Sequence, residues 1–151
     1  MGRVGADLVF ETLVEARLLV SCQTKFNPSD AEWDRWLSAV RHLEYQVTTL
    51  RLLVVTAGGH PTKPQVERMR AANKKNPTTA IVSPSLALRF MGSALTFVNP
   101  TIRCFAPTSL DAAFDHLGLL PADREQARAA MQRLQRDLGP LQPSASGALS
   151  R

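Results

Sequence analysis

The chain has 151 residues, of which 44% are hydrophobic and 21% charged, with a formal net charge of +5. That length and balance describe one soluble domain with a hydrophobic core of its own. They exclude a membrane-spanning helix, because no apolar run of about eighteen residues occurs. They also argue against a nucleic-acid stacking platform, because aromatic residues make up only 6% and do not interleave with basic ones.

The excess of positive charge leaves an anionic partner open. The N-terminal segment has acids inside its apolar stretch and no signal-peptide cleavage pattern, and Ala6 stands where a myristoylation motif needs Ser or Thr. A cytoplasmic protein is the expectation. Cys22 and Cys104 sit in apolar, strand-like runs, and no Cys/His spacing resembles a zinc site. Buried free thiols are expected, with no metal and no cofactor.

Residues 8–23, LVFETLVEARLLVSCQ, alternate in polarity and then become continuously apolar. They predict two strands turning near Val14–Ala16, or one long bent strand. Asn27–Asp30 break the chain. Ser29 and Glu32 form a capping box, with Asp30, Glu32 and Asp34 complementing the helix dipole. Trp33, Trp36, Leu37, Val40, Leu43 and Val47 then recur at helical spacing, so residues 29–47 predict an amphipathic helix with both indoles in the core.

The run at 50–56, LRLLVVT, predicts a strand buried on both faces, as in parallel sheets. A helix is predicted over about 63–74, with Val66, Met69 and Ala72 on one face, then a strand at 76–84. Residues 85–97 predict a helix capped by Ser85 with Leu86, Phe90 and Leu95 facing inward. A strand at 101–107 follows. The next helix, 109–119, is read with Ser109 as N-cap and Gly118 as C-cap. The alternation of strand and helix from 50 to 119 predicts a mostly parallel sheet of four or five strands flanked by helices.

Residues 121–139 predict a further amphipathic helix that begins at Pro121 and ends at Gly139. Its stripe of Ala127, Ala130 or Met131, Leu134 and Leu138 is expected to pack on the domain itself. The chain thus divides into an α/β domain at 1–120, a C-terminal helix at 121–139, and a Pro/Ser/Gly-rich tail at 140–151 that is expected to be disordered.

The segment between the 50–56 strand and the next helix, Thr56-Ala57-Gly58-Gly59-His60-Pro61-Thr62-Lys63, carries the functional question. It matches neither a Walker A loop nor a Gly-x-Gly-x-x-Gly fingerprint. His60 has no acid or nucleophile beside it, and His42 and His116 belong to no motif, so no catalytic residue is assigned and an enzyme is not expected. Free amides at a helix start, with Lys63 and Arg68 near, fit an anion or an acidic partner. A turn relieved by its glycines, with solvated lysines, fits as well. Thr56 and Thr62 are candidate phosphorylation sites, and Thr62 is equally an N-cap.

Three stretches, LRLLVVTAGG, TTAIVSPS and APTSLDAAFDHLGL, together with the leading pair of strands, resemble the STAS domain family of sulfate transporters and anti-sigma-factor antagonists. The resemblance covers about residues 7–119 and is carried mainly by hydrophobic pattern. It implies a STAS-like α/β fold and a non-catalytic regulatory module of the cytoplasm. Such a module would bind another protein through Thr56, Gly58, Gly59, His60, Thr62, Lys63 and Arg68, and a homo-oligomer is compatible with it. The alternative is a nucleotide or anionic small-molecule sensor using the same loop. The sequence departs from the family in two ways. The loop lacks the serine of the family's Asp-Ser-Ser/Thr-Gly-like switch, and the 29–47 helix is longer than the usual connection.

Overall fold

The computed structural model describes residues 6–72, 75–89 and 101–138. The first two strands, β1 (Leu8–Leu13) and β2 (Leu18–Gln23), form an antiparallel hairpin that pairs Leu13 with Leu18. The chain reverses at Val14–Arg17, where the Ala16 amide donates to Leu13 O and Arg17 takes a left-handed φ of 52°. The sequence had left a single bent strand open, and the structure decides for the hairpin.

Three more strands follow in parallel: β3 (Arg51–Thr56), β4 (Thr78–Val82) and β5 (Ile102–Phe105). The sheet has five strands in the order β1-β2-β3-β4-β5. The coarse expectation of a mostly parallel α/β sheet holds. The predicted central strand is indeed central, but β2 is the strand buried along its whole length.

Each face of the sheet is covered, because alternate side chains of a strand point to opposite faces. Helix α1 (Asp30–Gln46) covers the first face and buries Trp33, Trp36, Leu37, Val40 and Leu43 against Leu8, Leu19 and Leu52. The Ser29–Glu32 capping box is present in full. Helix α2 (Lys63–Ala72) packs beside α1.

Helices α3 (Leu110–Leu117) and α4 (Pro121–Asp137) cover the second face. Phe114, Leu117, Ala127, Ala130 and Leu134 close there over Leu18, Val20, Cys22, Leu53, Ala80 and Val82. The C-terminal helix therefore shares the core of the sheet, as its stripe of small and apolar residues predicted. Arg124, Arg128 and Arg133 fix its outer side to Asp115, Asp111 and Glu11.

Some expectations fail locally. Ser109 does not cap α3 through its side chain. It ends a 3-10 turn, Pro107–Ser109, that delays the helix, since Pro107 starts the turn one step earlier. Gly118 does cap α3, in the left-handed conformation. Residues 86–89 are helical, with Ser85 Oγ accepting the Leu88 amide at 3.1 Å. However, Leu86 is 75% exposed, and Leu88 is the buried side chain. Phe90 and Leu95, like Gly139 and the 140–151 tail, lie outside the described residues.

Candidate functional site

The glycine loop lies at the C-terminal end of β3, beside the segment that leaves β2. Gly58 has a φ of 145°, which L side chains rarely adopt. Gly59 makes the closest approach: a Cβ there would stand 2.1 Å from Phe26 O and 2.7 Å from Thr24 O. The loop is thereby strapped to residues 23–27. The Ala57 amide donates to Gln23 O at 3.1 Å, Gly59 to Thr24 O at 2.9 Å, and His60 to Asn27 Oδ1 at 3.1 Å.

Thr56 is the hub of the strap. Its buried hydroxyl donates to Gly59 O at 2.6 Å and accepts the Gly58 amide at 3.1 Å. Every amide from Ala57 to His60 therefore donates inside the protein. Pro61 has no amide hydrogen, and Thr62 donates to Gln65 Oε1 at 2.9 Å. The glycines serve close packing, and the loop holds no nest of free amides. Its positive charge resides in side chains alone.

Those side chains are unequal. Lys63 is exposed. Arg68 is engaged with Asp34 at 3.0 Å and Asp30 at 3.5 Å, so its charge is met by α1. His60 Nδ1 donates to the Pro61 carbonyl at 2.9 Å.

Thr62 and Gln65 form a second capping box at the start of α2, with the Gln65 amide 3.4 Å from Thr62 Oγ1. Gln65 is almost wholly buried. Its Nε2 donates to Pro28 O at 2.9 Å and Asp30 Oδ1 at 3.0 Å, while its carbonyl accepts the Trp33 indole at 2.8 Å. The Gln65 amide, and then Arg68, hold the Asp30 carboxyl below its ordinary value. Sequence reasoning missed Gln65 because it looked only to the apolar side chains Val66, Met69 and Ala72 for what holds the helix. The signal was the Thr-x-x-Gln spacing at 62–65.

The two threonines differ as modification sites. Thr56 is 3% exposed with its hydroxyl engaged, so a phosphate there requires the strap to open. Thr62 is half-buried and caps α2. Among the remaining candidates for chemistry, burial pushes the Cys22 thiol up to about 12 and raises Cys104, so neither is a nucleophile at neutral pH. His116 donates to Thr101 O at 2.8 Å and lies against Phe105. His42 is exposed on α1. Among the described residues no group of three or more His, Cys, Asp and Glu is placed to hold a metal.

Beneath the loop lies a feature that the sequence reading did not anticipate. A cavity of about 210 Å³ runs between α2 and the first face of the sheet. Val54 and Ile81 floor it, Val66 and Met69 of α2 roof it, and the stacked Trp33–Trp36 pair, 4.8 Å between ring centroids, forms one wall. Gln23, Thr56, Gly59 and His60 line the end under the loop, and Arg70 and Lys75 line the opposite end. No carboxylate and no thiol is among its described lining residues.

The pattern that forms it is legible afterwards. Val54 and Ile81 sit on the same face as Leu52, but outside the cluster that α1 buries. Among the described residues, no helix of the chain is long and apolar enough to cross a membrane. Comparison with protein-family models, with curated proteins and with solved structures finds no match to the chain.

Proposed function

We propose that this chain is a non-catalytic, STAS-like regulatory module of the cytoplasm. It holds a small apolar ligand in the cavity beneath α2 and presents the strapped loop and α2 start, Thr56–Arg68, to a protein partner. The observation that carries this reading is the cavity itself: a largely apolar slot with a few polar groups, abutting the loop at the end of the parallel strands. An occupant touching Thr56, Gly59 and His60 would bear on the loop's outer surface, which is how a ligand would reach a partner.

Two observations set this above the alternatives. Hydrolytic or acid–base chemistry needs a nucleophile or a paired acid near the base, and the described lining gives His60 neither. A nucleotide or phosphate sensor on the loop needs free amides, and those of 57–60 are spent inside the protein.

A thermal-shift series with small neutral aromatics, nucleotides and inorganic phosphate tests the reading. An aromatic ligand at a hundredfold excess over its Kd should stabilise the fold by about 2.7 kcal/mol. Val54→Phe, which fills the floor, should abolish that gain while leaving the unliganded melt close to wild type. Stabilisation by nucleotides or phosphate alone would overturn the apolar site and restore the anion sensor.

A further inference from the structure

The two ends of the cavity differ in charge and in exposure. Under the loop it is lined by Gln23, Thr56 and Gly59, all buried. No lysine or arginine is among the described residues of that end. The amides of residues 57–60 donate inside the protein, the Thr56 hydroxyl donates to Gly59 O, and the Trp33 and Trp36 indoles donate to Gln65 O and Ser21 Oγ.

The other end is lined by Arg70, Lys75 and Asn76, all exposed. It lies roughly 13 Å away along the strands, the distance from Thr56 to Leu52 and its partner Thr79. Lys75 makes no ion pair among the described residues, and Glu44, which shares a neighbouring recess with it, is not within ion-pair distance. Arg70 meets Glu67 at 3.5 Å, with side chains 50% and 62% exposed, and a pair so open to water holds its partners weakly.

An apolar slot with two exposed cations at one mouth, and no carboxylate in its described lining, is complementary to an amphipathic anion. A carboxylate at that mouth stays in water beside Arg70 and Lys75, while its apolar body lies between Val54, Ile81 and the Trp33–Trp36 wall. The reverse orientation would bury the charge under the loop, away from both cations. Resting on the cavity reading above, we propose that this cavity takes a monocarboxylate with an apolar body of roughly seven to ten non-hydrogen atoms, its head held by Arg70 and Lys75.

Calorimetric titration of the full chain at neutral pH with hydrocinnamate and with hydrocinnamamide tests this, because the two share one body and shape and only the first is charged. Hydrocinnamate should bind about fivefold tighter, the combined effect of two exposed ion pairs. The advantage should fall below about twofold in about 1 M salt, and equally in the double variant Arg70→Gln, Lys75→Gln, with amide binding retained. Val54→Phe should abolish binding of both probes. Hydrocinnamate binding unchanged in Val54→Phe would put the anion on the surface and overturn the site. Equal binding of acid and amide to the wild type would overturn the anionic head and leave the apolar cavity standing. A preference that survives the double variant but falls in His60→Gln would put the head under the loop and overturn this orientation. No binding by either probe would overturn the cavity reading itself.

Discussion

Gly59 leaves no room for a side chain, and the consequence is measurable. Gly59→Ala would drive a methyl group into two backbone carbonyls, so strand end and loop must part. The expected cost is on the order of 3 kcal/mol in denaturant melts, and an unchanged midpoint would mean the strap is not what holds the loop. Glu32 acts at the same scale. Burial alone would raise its pKa, but amides of Ser29, Asp7 and Leu8 and the Ser29 hydroxyl outweigh it and hold the carboxyl below its ordinary 4.5. A depressed folded pKa gives stability that is present above the unfolded pKa and lost as pH falls through the folded one. The wild type should therefore lose stability on acidification below about 4.5. Glu32→Gln should be about 1.5–3 kcal/mol less stable at neutral pH and show a flatter acid limb in urea titrations.

At the scale of elements, α1 was readable in full, whereas α2 was readable in its start and apolar face but not in what holds it. Ser29, Glu32 and the apolar spacing from Trp33 to Leu43 agree on one helix and one buried face. In α2 the apolar residues Val66 and Met69 face a cavity, and the residue that locks the helix is polar. Gln65→Ala would break the Thr62 capping box and the links to Pro28 and Asp30. A loss of about 2–3 kcal/mol is expected, with faster amide exchange confined to the loop and α2. A wild-type exchange pattern would show that α2 is held by packing alone. The Leu86 error has the same origin: a capping serine marks where a helix begins, but which side faces inward depends on the layer beneath it.

At the scale of the molecule, the C-terminal helix belongs to the fold. Ala127, Ala130 and Leu134 seal the second face over β2, the most deeply buried strand. A chain ending at Leu119 should show no cooperative thermal transition by circular dichroism, because that face would be left open to water. A cooperative melt would show that the sheet and its first three helices stand without α4. The sequence by itself determined the order of strands and helices, the parallel character of the sheet and the stripe on α4, because local periodicity and caps govern those. Only the tertiary structure decided that the glycines are for close packing, that Gln65 ties two helices together, and that an apolar cavity lies beneath α2. Each depends on what stands opposite a residue once the layers meet, and one strand's own sequence holds no record of what the helix above it presents.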